Sequence, residues 1–213
     1  MLKIDSNTCL FNDITHYRSD NCNDRPHGVI IDTIIIHCIS LPLGAYGNSN
    51  IVDLFTNNLD IKKDASFASL KSIKVSSHLL INRDGKIIQF VPFHLRAWHA
   101  GISKHKDRQN CNDFSIGIEL EGTSKSEFTD YQYDSLNKII LCLKDFYPKI
   151  VDKNIIGHNE VSPDRKDDPG PYFKWNRTVS YTHLRAHETK ANLGCRRGRE
   201  KKKGGGGGGG GGG

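Results

Sequence analysis

The chain has 213 residues and a formal net charge of +6. The positive charge comes from residues 176–213, which hold nine Lys or Arg and two Asp or Glu, so residues 1–175 hold 21 basic and 22 acidic residues, a net charge of −1. This balance argues against a nucleic-acid-binding face on the main part of the chain, and no apolar run approaches the roughly 20 residues of a membrane span.

The length predicts one domain with a single core, preceded by an extension and followed by a tail. Residues 1–28 are polar and mixed, which indicates loop character, and residues 29–176 would form the domain. Residues 177–213 are basic and end in a glycine run, Gly204–Gly213, that buries nothing. We interpret this tail as non-native sequence, the alternative being a native basic tail that binds nucleic acid or a membrane.

Cysteine spacing and the N-terminal residues bear on the cellular compartment. The six cysteines show no paired spacing, which is typical of reduced thiols rather than a disulfide framework. The N-terminal segment MLKIDSNTCLFNDITHY contains no sustained apolar stretch, so a secretory signal is not predicted. We therefore expect a cytoplasmic protein. We also expect a monomer, although no pattern addresses the oligomeric state.

Strand and helix signals alternate along the first half of the domain. The run Thr33–Ile39 is continuous and rich in β-branched residues, as expected of a central strand covered on both faces. A Pro- and Gly-containing loop, Ser40–Asn50, follows it, and helical segments are predicted over Ile51–Asn57 and near Asp64–Leu70. The segment Ser76–Val91 holds two apolar runs around an Asp-Gly turn and predicts a β-hairpin.

The second half of the domain adds another strand and the longest predicted helix. Over Phe114–Glu121, isoleucine and leucine alternate with smaller or acidic residues, which predicts a strand. The smaller or acidic residues, which would share one face of this strand, are Ser115, Gly117, Glu119 and Glu121. A capping box of Thr129 and Gln132 begins a helix whose apolar residues repeat at helical spacing until Pro148. These elements predict an α/β or α+β fold, a single domain with a central mixed β-sheet flanked by helices.

The stretch Asn154–Phe173 carries residues suited to a metal site. A short apolar run ends at His158, and a proline-rich loop places Asp168 directly before Pro169, which restrains the preceding residue. His37 ends the first apolar strand run, and neighbouring strands would bring it beside His158. Two histidines and an aspartate are a usual ligand set for catalytic zinc, with water in a fourth position. The alternative is that both histidines are ordinary strand-end residues, since no HExxH or CxxC spacing is present.

Four segments between Asp32 and Trp175 resemble a known enzyme family. They read TIIIHCISLPLGAYG, VSSHLLINRDGKIIQFVPFHLRAWHAG, CNDFSIGIELEGT and GHNEVSPDRKDDPGP. In these segments the chain resembles the cytoplasmic N-acetylmuramyl-L-alanine amidases that act on 1,6-anhydro-muropeptides in cell-wall recycling. Wider relatives are the zinc amidases and peptidoglycan-recognition proteins. The resemblance implies a Zn²⁺ cofactor, a muropeptide substrate, and no nucleic-acid or membrane partner.

The resemblance also implies which residues bind the metal, namely His37, His158 and Asp168. From the residues alone Asp167 competes with Asp168, and we prefer Asp168 because Pro169 constrains it and because it matches the family position. Cys38 stands where the resemblance implies asparagine. Its thiol could perturb a substrate hydrogen bond or act as an additional soft ligand.

Glu119 is the predicted general base, because it matches the family's acidic position and its small neighbours Ser115 and Gly117 would leave open space in front of it. Periodicity alone is equally consistent with a solvated glutamate, and Glu121 is the alternative base. Lys166 matches the family's catalytic lysine and would stabilise the oxyanion, whereas without the resemblance it is a surface charge. Substrate contacts are predicted for Trp98, His99 and Arg165.

We therefore predict zinc-dependent hydrolysis of the amide bond between the lactyl group of (1,6-anhydro-)N-acetylmuramic acid and L-alanine. The alternative is a non-catalytic peptidoglycan-binding module or regulator of the same fold. Such relatives typically lose a metal ligand, and all three candidates are present in this chain. A periplasmic amidase is a third interpretation, which the N-terminal sequence disfavours.

Overall fold

The structure is a computed structural model that describes residues 2–178. Contacts divide the chain into two units, Met1–Trp175 and Asn176–Gly213. The fold given below is that of the first unit. Residues 177–213, which we interpreted as a tail, lie almost entirely outside the described residues. Within residues 2–178, every helix is too short or too polar to cross a lipid bilayer.

Between residues 2 and 175 the chain forms ten strands and three α-helices. The strands are β1 (Thr15–His16), β2 (Cys22–Asn23), β3 (Thr33–Ile39), β4 (Leu79–Ile81), β5 (Ile87–Gln89), β6 (Arg96–Ala97), β7 (Lys104–His105), β8 (Arg108–Gln109), β9 (Ser115–Glu121) and β10 (Ile155–Gly157). The α-helices are α1 (Asn50–Phe55), α2 (Asp130–Phe146) and α3 (His158–Val161). Three 3₁₀ helices span Ala65–Leu70, Cys111–Asp113 and Asp152–Asn154.

Six strands form one mixed sheet, in the order β1-β5-β4-β9-β3-β10. The central strand β3 pairs in parallel with β9 on one side and with β10 on the other, whereas β4 and β5 form the predicted antiparallel hairpin. The register places His37 opposite Glu119 and Ile36 opposite Gly157. The predicted fold class, a mixed sheet flanked by helices, is confirmed.

The two faces of the sheet differ in what they bury. Helix α2 packs against one face through an apolar stripe of Leu136, Ile139, Ile140 and Leu143. Full burial of each such side chain stabilises the fold by about 1.5–3 kcal/mol. The opposite face carries a cluster that includes Leu80 and α1, and another that includes Ile35. His37 and Glu119 share this second face, because side chains alternate along β3 and β9.

Several predicted elements are confirmed, and the differences have physical causes. Helix α2 begins at the predicted capping box of Thr129, and the hairpin turns at Gly85, whose φ of +82° favours glycine. The segment predicted as helical near Asp64–Leu70 is a 3₁₀ helix. The sequence predicted a proline-rich loop directly after His158. This is wrong for the first four residues, because His158 begins the one-turn helix α3 and the loop follows that helix.

Residues 1–28 contribute more to the domain than their predicted loop character suggests. Strand β1 pairs in parallel with β5 at the edge of the main sheet. Phe11 is buried and packs edge-on against Phe93, with ring centroids 5.1 Å apart. A two-residue strand and a single buried aromatic leave no periodic signal, so the sequence pattern does not predict these contacts.

Candidate metal centre and active site

Three side chains converge at the carboxyl end of β3. Nδ1 of His37 lies 2.9 Å from Nδ1 of His158, and each of these atoms lies 3.1 Å from Oδ2 of Asp168. Ligand atoms bound to one tetrahedral zinc ion at about 2.0–2.1 Å would be about 3.3 Å apart. This triangle of two imidazole nitrogens and one carboxylate oxygen therefore has the size and the donor set of a divalent-metal site.

The sheet register brings the two histidines together across 121 positions of sequence. Gly157 of β10 pairs with Ile36 of β3, so the next residues, His158 and His37, lie side by side. Asp168 reaches the same point from the loop after α3, where its carbonyl oxygen accepts the N–H of Asn159 at 2.9 Å. The structure thus brings together the three residues that the sequence assigned to metal binding.

The protonation states around the triangle suit a cation. Nε2 of His158 donates to the carbonyl oxygen of Ala100 at 3.2 Å, which leaves its Nδ1 with a free lone pair. Burial lowers the pKa of His37 to about 4, so this imidazole is neutral at pH 7. A carboxylate and neutral imidazoles are the forms that bind metal ions.

Glu119 lies on β9 directly opposite His37 and is 8% exposed. Its Oε2 has no hydrogen-bond partner among residues 2–178. Burial, reinforced by the negative charge of Asp168 and opposed by Lys166, raises the pKa of Glu119 well above its ordinary value. A buried carboxyl with a free oxygen and a raised pKa, next to a candidate metal site, has the properties of a general base.

The small neighbours of Glu119 do not leave the open space that the sequence interpretation expected. The ring of His99 lies against Gly117, where a β-carbon would overlap it. Nε2 of His99 is 3.3 Å from Oγ of Ser115. Ser115 and Gly117 are therefore small because a second imidazole occupies this part of the strand face.

The loop between α3 and Pro171 holds the remaining charged candidates. Oδ2 of Asp167 accepts a hydrogen bond from Ser124 at 2.7 Å, so its carboxylate is engaged apart from the triangle, and the preference for Asp168 agrees with the geometry. Nη2 of Arg165 donates to the carbonyl oxygens of Ala100 at 2.7 Å and Ile102 at 3.0 Å. That guanidinium braces the loop, whereas the sequence assigned it to substrate.

Lys166 is exposed, and its ammonium makes no hydrogen bond or ion pair within residues 2–178. Its positive charge nevertheless opposes the rise in the pKa of Glu119 and adds to the lowering of the pKa of His37. The charge of Lys166 therefore affects the pKa values of Glu119 and His37, while its amino group remains available to bind a ligand. This is the state expected of a lysine that contacts a substrate only when it is bound.

The two aromatic residues predicted to contact substrate have protein partners. Nε1 of Trp98 donates to Oδ1 of Asn23 at 2.7 Å, which ties the half-buried indole to β2. Nδ1 of His99 lies 2.9 Å from Nε2 of His37, so this imidazole contacts a candidate metal ligand. Sequence reasoning did not foresee the contact between His99 and His37, although the small residues on β9 were a signal for a bulky partner.

Glu121, the alternative general base, has a different role in the structure. Its carboxylate accepts the N–H of Gly47 at 2.6 Å and the N–H of Arg83 at 3.0 Å. The Arg83 guanidinium in turn lies 5.0 Å from the ring centre of Tyr46. Glu121 therefore anchors the Ser40–Asn50 loop, and Glu119 alone of the two carboxyls has an unpartnered oxygen.

Cys38 is directed away from the triangle because it follows His37 along the strand. It packs at the edge of the cluster under α2, with Sγ 3.9 Å from the carbonyl oxygen of Pro169. Burial raises the pKa of this thiol, so it remains protonated, and a protonated thiol is a poor metal ligand. All cysteines within residues 2–178 are free, as predicted; they are Cys9, Cys22, Cys38, Cys111 and Cys142.

The geometry agrees with a comparison of the sequence with known families. A family model described as N-acetylmuramoyl-L-alanine amidase matches residues 24–171 of this chain. The chain belongs to the N-acetylmuramoyl-L-alanine amidase family. The matched range of the amidase includes the metal triangle, Glu119 and Lys166.

Curated relatives and solved structures are consistent with this assignment. The amidase is 49% identical over 153 residues to 1,6-anhydro-N-acetylmuramyl-L-alanine amidase AmpD of Escherichia coli K12, covering 72% of this chain and 83% of that relative. A crystal structure of an Se-Met AmpD derivative superposes with a TM-score of 0.80 at 42% identity, covering 83% of this chain and 97% of that one. The resemblance seen in the four sequence segments is confirmed, and the chain is an amidase.

A further structure of a relative contains a ligand. It is a complex of the N-acetylmuramyl-L-alanine amidase AmiD of E. coli with anhydro-N-acetylmuramic acid-L-Ala-D-γ-Glu-L-Lys. It superposes with a TM-score of 0.52 at 27% identity, covering 76% of this chain and 66% of that one. The ligand in that complex is a substrate of AmiD.

Proposed function

We propose that this amidase hydrolyses the bond between the lactyl group of 1,6-anhydro-N-acetylmuramic acid and L-alanine, with zinc as its cofactor, in cytoplasmic peptidoglycan recycling. The observation that carries the proposal is the triangle of His37, His158 and Asp168 beside the unpartnered carboxyl oxygen of Glu119. The substrate assignment is supported by the high identity to AmpD and by the substrate bound to AmiD.

The metal would be held by Nδ1 of His37, Nδ1 of His158 and Oδ2 of Asp168. Three protein ligands leave a coordination position open, which is typical of catalytic rather than structural zinc sites. When bound, zinc would polarise the scissile carbonyl group and lower the pKa of water.

Glu119 would accept a proton from the attacking water and return it to the nitrogen of L-alanine as the amide bond breaks. Its raised pKa suits the first transfer, because a carboxylate with a raised pKa is a stronger base than an ordinary glutamate. The ammonium of Lys166 would approach the carbonyl oxygen and stabilise the negative charge that develops there. Trp98 would contribute to the sugar-binding surface, as predicted from the sequence.

The test is an assay of the full-length chain with two matched muropeptides. One ends in 1,6-anhydro-N-acetylmuramic acid and the other in a reducing N-acetylmuramic acid, and both carry the same peptide. Release of free peptide is measured by chromatography and mass spectrometry, with and without a chelator. We expect cleavage that the chelator abolishes and added zinc restores, with faster turnover of the anhydro form.

Each part of the proposal has its own contrary outcome. Cleavage that survives complete removal of metal would contradict the zinc assignment. Equal rates on both muropeptides would contradict the anhydro preference while leaving the amidase activity intact. Binding of either muropeptide without release of peptide would favour the non-catalytic binding module. Recovery of the native protein from the periplasmic fraction would contradict the cytoplasmic location.

A further inference from the structure

A chain of hydrogen bonds leads from the metal triangle into strand β9. Nε2 of His37 lies 2.9 Å from Nδ1 of His99, and Nε2 of His99 lies 3.3 Å from Oγ of Ser115. Oγ of Ser115 in turn lies 2.5 Å from the carbonyl oxygen of Cys111. The chain therefore ends on a backbone group whose role is fixed, since a carbonyl oxygen only accepts.

This fixed end determines the direction of every bond in the chain. The single hydroxyl proton of Ser115 is donated to Cys111, so toward His99 the hydroxyl can only accept. Nε2 of His99 must then carry the proton of that ring, and its Nδ1 accepts the Nε2 proton of His37. Nδ1 of His37 is thereby left unprotonated, with its lone pair directed at the triangle.

The same short segment also orients the second histidine of the triangle. Oδ1 of Asn112 accepts the backbone N–H of His99 at 3.2 Å and of Ala100 at 2.8 Å. The carbonyl oxygen of Ala100 accepts Nε2–H of His158 at 3.2 Å. The two consecutive residues His99 and Ala100 therefore determine which nitrogen of each imidazole faces the centre.

Packing fixes the position of the His99 ring. A β-carbon at Gly117 would overlap the ring, so β9 provides a flat surface that only glycine allows at this point. The ring of His78 lies on another side, with centroids 5.7 Å apart. Because its position is restricted by both neighbours, His99 holds its Nδ1 toward His37 without needing a ligand to order it.

We propose that His99 is a positioning residue whose Nδ1 accepts the Nε2 proton of His37 and so presents Nδ1 of His37 to zinc. This inference rests on the proposed zinc-dependent function and goes beyond it, because it assigns His99 to the metal site and not to the substrate. Removing such an outer partner of a metal ligand typically weakens metal binding about 10- to 100-fold.

The decisive experiment measures the zinc dissociation constant of the full-length chain by competition with a chromogenic chelator. His99→Leu removes the acceptor and should weaken zinc binding about 10- to 100-fold. His99→Asn places an amide oxygen near the former Nδ1 and should recover most of the affinity. His94→Leu is the matched control, because His94 is exposed and lies outside the site, and its affinity should equal that of the wild type.

Two further measurements test the proposal even if His99→Leu folds poorly. Ser115→Ala leaves the His99 ring in place but removes the fixed acceptor, so zinc binding should weaken less than in His99→Leu. Nitrogen-15 NMR of the histidines in the chelator-treated wild type should show His99 protonated at Nε2 and not at Nδ1. Protonation at Nδ1 would overturn the proposal.

A role for His99 in substrate binding predicts a different pattern. In that case His99→Leu would raise KM, leave the zinc dissociation constant unchanged, and not be rescued by asparagine; this result would overturn the proposal. Failure of the proposed function can be distinguished from failure of the His99 proposal. Zinc bound in wild type and lost in His158→Ala, without cleavage of either muropeptide, would reject that function and leave the role of His99 intact.

Discussion

The candidate site has a sheet side and a loop side, and the two are positioned by different means. The sheet side comprises His37, Glu119 and His158, which lie at the ends of three adjacent parallel strands. The loop side comprises Lys166 and Asp168, which follow α3. Strand pairing fixes the first group through many backbone hydrogen bonds, so each of its side chains inherits its position from the core.

The loop side depends on a few individual contacts. The carbonyl oxygen of Asp168 accepts from Asn159, and the guanidinium of Arg165 holds the loop to the carbonyl oxygens of Ala100 and Ile102. Ser124 binds the carboxylate of Asp167. The sheet therefore provides a fixed half of the candidate centre, while the loop adds one candidate ligand, Asp168, and one exposed charge, Lys166.

The largest expected effect comes from removing one metal ligand from each side. His37→Ala and Asp168→Ala should both lose zinc, and peptide release should fall by more than the roughly 10²- to 10⁴-fold that loss of one acid–base group costs. Metal analysis and the muropeptide assay check this. If either variant kept full activity and its zinc, the mutated residue would not be a metal ligand. The division of the ligands between a sheet side and a loop side would then be wrong.

Glu119→Gln tests the sheet side without removing a ligand. We expect kcat to fall about 10²- to 10⁴-fold because the amide cannot accept the proton of water, while zinc content stays at the wild-type value. Stopped-time assays with metal analysis separate these effects.

Glu121→Gln is the internal comparison for Glu119→Gln. It weakens the anchor of the Ser40–Asn50 loop. This loop directly follows the strand that carries His37, and loops at strand ends often form substrate walls, so KM should rise with a much smaller change in kcat. A larger loss of kcat in Glu121→Gln than in Glu119→Gln would reverse the two assignments.

Lys166→Met tests the exposed charge of the loop side. We expect kcat to fall about 10²- to 10³-fold, as when one oxyanion donor is removed, with unchanged zinc affinity. The matched control is Lys153→Met, which removes an exposed lysine from a 3₁₀ helix outside the site and should have no effect. Equal activity of the two variants would identify Lys166 as an ordinary surface charge.

The smallest expected effect is on stability and concerns the sheet side. Burial lowers the pKa of His78 to about 3, whereas an unfolded histidine titrates near 6.5. The unfolded chain therefore binds this proton between those values. His78 alone should lower the free energy of unfolding by on the order of 1 kcal/mol per pH unit as pH drops below about 6.5, in addition to the contribution of His37, whose pKa burial also lowers.

Urea unfolding of the chelator-treated protein at pH 7 and pH 5 measures this dependence. His78→Asn should reduce the difference between the two pH values, because the variant has no imidazole to protonate on unfolding. An unchanged pH dependence in His78→Asn would show that His78 does not contribute to it.

The sheet side was largely predictable from the sequence. The β-branched run of β3, the alternation in β9 and the capping box of α2 are strong periodic signals, and they indicated a mixed sheet flanked by helices. Two histidines at strand ends and an aspartate before a proline suggested the metal triangle, with ordinary strand-end histidines as the alternative, and the family resemblance favoured the metal-binding interpretation. The roles of Glu119 and Lys166 required the family resemblance, since a carboxylate or ammonium in isolation is more often a surface group.

The contacts that orient the site were not predictable in the same way. The link from His99 to His37 spans 62 residues and depends on a non-periodic segment between short strands. Arg165 was predicted to contact substrate, and only the fold shows its bonds to backbone carbonyls. Glu121 occupies the same strand face as Glu119, and their difference arises from Gly47 and Arg83, which no local pattern connects to β9.

The carbonyl oxygen of Ala100 receives hydrogen bonds from His158 on the sheet side and from Arg165 on the loop side. A small rotation of that peptide plane would lengthen both bonds at once. Engineers who graft a new 101–110 loop to change substrate preference should therefore keep the backbone at Ala100 unchanged. Otherwise an exchange intended to alter selectivity would also disturb the orientation of His158 and, with it, the proposed metal site.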